Sequence, residues 1–217
     1  MPEAPHLQTT RTFYDTIAED YHDRAKTELD ARPLDRAMLA AFAELAASAP
    51  GPIAELGCGP GRITAHLHSL GLDDIFGIDL SPVMVAVARR SFPGLRFDEG
   101  SMTALDLKDG ALGGIVAWYS LIHTPPEELP AVLAEFDRVL APGAHLLVAF
   151  QVGDGPLHVE DAWGHPVSLD FNRLSPDHIT GLLAQAGLTV DARLQREPTE
   201  KESAPQAFLL AHKPRAS

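Results

Sequence analysis

The sequence predicts an α/β fold: a doubly wound, seven-stranded mixed sheet with an antiparallel last strand and an N-terminal helical cap. Three observations carry this. Across 53–151, short apolar runs alternate with helical patterns, the signature of a parallel sheet covered on both faces. Before that stretch the pattern is helical only. After it, two apolar runs are joined by the polar EPTEKESAP, with no helix between them, which makes them antiparallel neighbours.

The elements follow in order. In TRTFYDTIAEDYHDRA, Phe13, Ile17 and Tyr21 recur at helical spacing, with Tyr14 beside them. Pro33 opens PLDRAMLAAFAELAAS, with Leu34, Met38, Leu39, Phe42 and Leu45 on one side, and Ala49-Pro50-Gly51-Pro52 stops it. Strands are predicted over 53–58, 75–80, 95–98, 114–120 and 145–151, and helices over 60–70, 82–91 and 125–140. Ser81-Pro82 is an N-cap followed by proline at the first helical position. Thr124 with Glu127 reads as a capping box ahead of the stripe Leu129, Val132, Leu133, Phe136 and Leu140. Gly71 and Gly187 sit where helices should end. LHVEDAWGHPVSLDFNRL is a hairpin excursion with its turn near Gly164-His165-Pro166. Ser175-Pro176 caps a last helix, and strands over 189–195 and 206–212 close the chain. The expected organisation is one domain: a helical cap over 1–50, a core over 51–152, the excursion over 153–174 and the rest of the sheet over 175–217.

The composition is globular, with 45% apolar and 22% charged residues. Net charge is −13, and Arg89-Arg90 is the only basic doublet. Without a basic stripe, nucleic acid and anionic membranes are not expected partners. The single cysteine, Cys58, permits neither an intramolecular disulfide nor a thiolate cluster and fits a reducing compartment. MPEAPHLQTTRTFYD lacks the pattern of a signal peptide, and no long apolar run exists. The expectation is a soluble cytoplasmic protein, and the excess of arginine over lysine, with abundant alanine, suggests a bacterial source.

The chemistry concentrates in IAELGCGPGR. This glycine-rich turn follows a strand, precedes a helix and lies in a βαβ unit, with an acid, Asp79, about 20 residues on. A pyrophosphate-binding turn reads G-x-G-x-x-G, but Gly61 comes one position early. No Gly-Lys-Ser/Thr follows either. The expected ligand is a nucleoside without a phosphate to cradle. Cys58 in its middle reads as a small filler, because nothing nearby would activate it.

Glu55-Leu56-Gly57-Cys58-Gly59-Pro60-Gly61 resembles the first motif of class I S-adenosylmethionine-dependent methyltransferases, E/D-x-G-x-G-x-G, on a Rossmann-like fold. Asp79-Leu80-Ser81-Pro82-Val83-Met84 resembles that family's D-x-S-x-x-M, and Gly100-Ser101-Met102 lies where the family reads adenine. Arg138-Val139-Leu140-Ala141-Pro142-Gly143 resembles R-V-L-x-P-G-G, with Ala144 in place of the last glycine. The strand over 206–212 resembles the family's reversed edge strand. Tyr14-Asp15-Thr16-Ile17-Ala18-Glu19-Asp20-Tyr21 resembles the Y-D-x-x-A-x-x-Y helix of its small-molecule members.

The resemblance implies S-adenosyl-L-methionine as cofactor. It implies that Gly57, Cys58 and Gly59 lie against the methionine part, Glu55 receives the ammonium end and Asp79 accepts bonds from both ribose hydroxyls. Leu80 and Met84 would flank the adenine, and Ser101 and Met102 would meet its edge. Tyr14 and Tyr21 either pack with Ile17 or reach the cofactor carboxylate.

Ligands of open α/β sheets bind outside the carboxyl ends of the strands, so Tyr119, Ser120 and His123 are expected to face cofactor and acceptor. His123 either bonds its loop or acts as a base. The excursion, with His158, Trp163, His165, Phe171 and Arg173, is expected to wall the acceptor. His123 or His165 would serve a hydroxyl acceptor as base. No ligand spacing supports a metal site, so none is expected. The implied reaction is in-line methyl transfer to a small-molecule acceptor. The alternatives are a non-catalytic cofactor-binding protein on the same fold and a nicotinamide oxidoreductase, which the early Gly61 disfavours.

Overall fold

The computed structural model describes residues 4–200 and 202–215. Two helices come first, α1 (Pro5–Ala25) and α2 (Pro33–Ala46). Then follow β1 (Ile53–Leu56), α3 (Arg62–Ser69), β2 (Ile75–Asp79), α4 (Pro82–Ser91), β3 (Arg96–Glu99), β4 (Leu112–Trp118), α5 (Leu129–Val139) and β5 (Leu140–Gln151). The hairpin β6 (Pro156–Ala162) and β7 (His165–Asn172) precedes α6 (Pro176–Gln185), β8 (Thr189–Arg196) and β9 (Gln206–His212).

The seven-stranded sheet has the order β3-β2-β1-β4-β5-β9-β8. All neighbouring pairs from β3 to β5 are parallel, and β9 is antiparallel to both β5 and β8. The reversed strand is therefore last in sequence but not at the edge, as the sequence reading had it. The residues explain the order. QAFLLAH is buried along nearly its whole length and belongs between two strands, whereas the more polar TVDARLQR tolerates the exposed edge.

Both faces of the sheet are covered. Leu133 and Phe136 of α5 and Ile179 and Leu183 of α6 pack on one face. Leu39 and Phe42 of α2 and Ile63 and Leu67 of α3 pack on the other. In the R-V-L stretch, Arg138 bonds Glu135, Asp109 and the carbonyls of Leu105 and Leu107, so it ties the loop before β4 to α5.

Several boundaries differ from expectation. The chain turns irregularly after Thr124 and α5 starts only at Leu129, so no capping box forms. Pro130 accounts for this: it lacks an amide hydrogen and belongs in a first turn. β5 begins at Leu140, five residues before the predicted start at His145. β4 ends at Trp118, because Tyr119 turns into the left-handed region (φ 56°) and swings the chain out of the sheet. The hairpin turn falls on Trp163-Gly164, both at positive φ (57° and 89°), with Ala162 paired to His165.

β1 lies between β2 and β4, and the connections leave it towards opposite faces. This switch point opens a crevice at the carboxyl ends of the strands. α1 crosses above it, and the β6–β7 hairpin packs on α1 through Phe13, Ile17, Ala162 and Leu169. Among the described residues, no helix is long and apolar enough to cross a membrane.

Candidate active site

A cavity of about 900 Å³, its mouth included, lies in that crevice. Its floor is the turn after β1. Gly59 (φ 52°) is the one glycine of this turn whose absent side chain faces open space: an added Cβ meets only a Tyr21 ring carbon, at 4.0 Å. Gly61 (φ 82°) serves packing, since a Cβ there lies 2.7 Å from the Phe97 ring. The early third glycine is thus required by the core behind the loop. The Cys58 side chain is buried with Val85, Ala88 and Phe97, and burial pushes its thiol far up, as fits an inert filler.

Two buried acids face this floor. Asp79, at the end of β2, accepts the Gly59 amide on Oδ2 (2.7 Å) and the Ser81 amide on Oδ1 (2.8 Å). Burial raises it to about 6 despite these bonds. Glu55, at 2% exposure, accepts the Thr64 hydroxyl, and burial raises it to about 8. Arg62 stands beside it, paired with Glu28 (2.8 Å) and hydrogen bonded to Tyr21.

The roof is α1, fixed by polar contacts along its length. Arg11 donates to the Leu80 carbonyl (3.1 Å), Asp15 accepts the Ser81 hydroxyl (2.5 Å), and Glu19 pairs with Arg90 (2.7 Å). Between them, Tyr14 meets His123 at 2.7 Å from hydroxyl to Nε2. Burial lowers His123 to about 4, so its ring is neutral, and in the tautomer protonated at Nδ1 its Nε2 accepts the Tyr14 hydroxyl.

Most predicted residues line this cavity: Tyr14, Tyr21, Glu55, Gly57, Cys58, Gly59, Asp79, Leu80, Ser101, Met102, Tyr119 and His123. Two do not. Met84 is fully buried with Ala18 and Val87 and seats α1, so the apolar face of α4 turns to the roof helix. His165 bonds Asp20 of α1 at 2.7 Å, which fastens the hairpin to the roof. The other histidine of the excursion, His158, pairs with Asp170 across the hairpin. Among the described residues, no group of three His, Cys, Asp or Glu side chains could hold a metal ion.

The sequence reading missed Arg62, Thr64, Trp118, His6 and Thr10. Arg62 directly follows the glycine turn, but its role depends on Tyr21 and Glu28 from other elements.

A second cavity adjoins the first and shares Tyr14, Tyr21, Arg62 and Tyr119 with it. It continues towards Ile122, Gln151, Phe171 and Gln206, between the ends of β4 and β5 and the hairpin. Among the described residues, eight buried side-chain polar atoms lack a partner. Six belong to residues lining these two cavities: His6 Nε2, Arg62 Nη1, Tyr119 Oη, Ser120 Oγ, His123 Nδ1 and Gln151 Oε1. Each such group costs about 1–3 kcal/mol unless a ligand or an ordered water satisfies it. This concentration makes the two cavities the candidate binding site.

Residues 53–143 match a family profile described as a methyltransferase domain. An O-methyltransferase of Penicillium expansum is 31% identical over 146 residues, 64% of this chain and 52% of that protein. The chain spans about half or less of the length of the curated relatives it matches. A solved complex of DhpI with S-adenosylhomocysteine superposes with a TM-score of 0.73 at 19% identity, covering 99% of this chain and 100% of that one. A 1,6-didemethyltoxoflavin-N1-methyltransferase of Burkholderia thailandensis, solved with 1,6-didemethyltoxoflavin and S-adenosylhomocysteine, gives 0.71 at 19% identity, with 99% and 92% covered. At these identities the likeness is one of fold.

Proposed function

We propose that this chain, a methyltransferase by its central domain and by the class I fold it shares with S-adenosylmethionine-dependent enzymes, transfers a methyl group from that cofactor to a small-molecule acceptor. The observation that carries the reading is Asp79. Each of its oxygens spends one lone pair on a backbone amide, so each retains another for a hydroxyl of a vicinal diol such as ribose. The turn beside it lacks the spacing for a pyrophosphate.

The other lining residues fit the same cofactor. Glu55 takes the ammonium group, which favours its ionised form against burial. The free Nη1 of Arg62 takes the carboxylate, with Tyr21 steadying the guanidinium. Leu80, Ser101, Met102 and Thr103 surround the base at the far end. Bound there, S-adenosylmethionine supplies an electrophilic methyl group on a sulfonium centre that leaves as a neutral thioether.

The protein's contribution is alignment and exclusion of water under α1. His123 is not assigned as a base: Tyr14 occupies its Nε2 lone pair, and burial makes it weakly basic. His165 is assigned to fastening the hairpin. A non-catalytic role would need an obstructed acceptor space, whereas a second cavity adjoins the first. The net charge of −13, without a basic stripe, favours a small acceptor over nucleic acid. The lone Cys58 suits a reducing cytoplasm.

Calorimetry tests the reading. S-adenosylhomocysteine is expected to bind with micromolar affinity and Asp79→Ala to abolish binding. A pure, folded protein that binds neither the cofactor nor this product sinks it.

A further inference from the structure

We propose that the second cavity takes a neutral, planar heteroaromatic acceptor that carries both a hydrogen-bond donor and an acceptor, as a lactam does, and that a ring nitrogen receives the methyl group. This rests on the cofactor reading above.

Charge is the first argument. Arg32, Arg62 and Arg196 face Glu28, Asp35 and Glu202 in one closed network, with contacts of 2.7 Å for Arg32–Glu28, 2.8 Å for Arg62–Glu28, 2.8 Å for Arg196–Asp35 and 2.6 Å for Arg196–Glu202. Arg32 also reaches Glu202 at 3.1 Å. Three cations balance three anions. The remaining donor, Arg62 Nη1, also lines the first cavity and is assigned there to the cofactor carboxylate. With S-adenosylhomocysteine bound, whose thioether is neutral, an ionised acceptor would meet no unpaired protein cation, which burial penalises.

Hydrogen bonding is the second. Burial raises the Tyr119 phenol, so it stays protonated and donates. Gln151 Oε1 accepts. Both atoms are buried without partners. The ligand that satisfies both offers an acceptor to Tyr119 and a donor to Gln151. Shape is the third: Tyr14, Tyr21, Tyr119 and Phe171 are four of the twelve lining residues, a wall suited to a flat ring.

The nucleophile follows from the absence of a free base among the described lining residues. Glu28 holds two arginines. Against the opposing pull of burial, the Arg196 hydrogen bonds keep Glu202 at about 2. Burial raises both Tyr14 and Tyr119, and His123 Nε2 is occupied. A neutral hydroxyl would need deprotonation, and an enolate brings the charge just excluded. A ring nitrogen needs neither. The in-plane lone pair of an unprotonated, imine-type ring nitrogen forms the N–CH₃ bond, the C–S pair passes to sulfur, and the methylated ring cation then loses the proton of its lactam N–H to water.

The test uses the full chain saturated with S-adenosylhomocysteine and three bicyclic probes of similar size: a pteridinone-type lactam, its carboxylated analogue and a saturated carbocyclic ketone. The lactam should bind at least about tenfold tighter than the others, the fold-change expected for one buried hydrogen bond. Gln151→Met should weaken it by a similar factor with S-adenosylhomocysteine affinity unchanged, and Tyr119→Phe should weaken it likewise. With S-adenosylmethionine, the methylated product should carry its methyl group on nitrogen. Preference for the carboxylate, equal binding of all probes, no probe binding, indifference to Gln151→Met or an O-methyl product each overturns this inference alone. Failure of S-adenosylhomocysteine itself to bind overturns the cofactor reading and this one with it.

Discussion

The Tyr14 hydroxyl on the roof helix lies 2.7 Å from Nε2 of His123, 109 residues away beyond the end of β4. The bond closes the roof over the cavity, and burial beneath it keeps His123 neutral. Its folded pKa of about 4 lies below the unfolded value of 6.5, so the unfolded chain binds the extra proton. The stability involved is present above pH 6.5 and is lost as pH falls through 4. Tyr14→Phe leaves one acceptor unpaired and should cost about 1–3 kcal/mol at pH 8. Denaturant titrations at several pH values check both points. A His123 ring signal that titrates near 6.5 in the folded protein refutes the assignment.

Glu55 gives the opposite pH dependence. Its folded pKa, about 8, stands above the ordinary glutamate value of 4.5 because it is buried. The folded state binds the extra proton between these values, so this contribution to stability is greatest below pH 4.5 and is lost as pH rises through 8. A ligand ammonium prefers the ionised acid. S-adenosylhomocysteine should therefore bind tighter from pH 6 to pH 8, by up to about tenfold per unit, with proton release detectable by calorimetry in buffers of differing ionisation enthalpy. In Glu55→Gln the release should vanish. Affinity independent of pH in the natural chain would falsify the role.

Asp79 acts on both the fold and the ligand. Asp79→Asn keeps an oxygen for one amide but loses the charge and one acceptor, so the chain should fold with about 1–3 kcal/mol less stability. Product affinity should fall roughly ten- to hundredfold, the scale of hydrogen bonds to a charged group. Equal loss of stability and no loss of affinity would make Asp79 a loop anchor only.

How far this site is legible in the chain depends on how local each contact is. The glycine turn and Asp79 are neighbours through one βαβ unit, and their spacing carries them. Tyr14 and Tyr21 could be placed on a helix, but only the tertiary docking of α1 decides that Tyr14 bonds His123 and Tyr21 bonds Arg62. Met84 went astray because an apolar residue on α4 reads the same under a ligand or a helix. His165 went astray because the position of the hairpin over Asp20 is non-local. Pro130 was overlooked although its signal is local: a proline at the sixth position of a helix expected over 125–140 argues for a later start. Gln151 was overlooked too, although it is the polar end of a buried strand at the carboxyl edge of the sheet.

Two glycines of one turn should part company when mutated. Gly61→Ala drives a Cβ to 2.7 Å from Phe97 and 3.1 Å from Ala88, on top of a left-handed backbone. It should cost about 2–5 kcal/mol, the sum of overpacking and backbone strain. Gly59→Ala meets only Tyr21 at 4.0 Å, so it should cost about 1–2 kcal/mol from its backbone alone. Its methyl group enters the cavity, however, and product binding should weaken more than tenfold. Thermal melts and calorimetry on both variants check this; the reverse ranking would place the ligand elsewhere.

The hairpin offers a reporter for the roof. His165 bonds Asp20, and Trp163 at the turn is 45% exposed, with its ring 6.3 Å from Tyr21 and Arg24 stacked over it at 4.8 Å. The other tryptophan, Trp118, is buried at the end of β4. Tyr21 lines both cavities, so a ligand that bonds Arg62 alters the surroundings of Trp163 through Tyr21. Addition of S-adenosylhomocysteine should change tryptophan emission, and Trp163→Phe should separate the part of the change that arises at the hairpin from the part at Trp118, which lines the first cavity. His165→Gln loosens the hairpin without touching the cavity, so hydrogen exchange in β6 and β7 should quicken while product affinity stays within about twofold. A large loss of affinity in His165→Gln would return that histidine to the site.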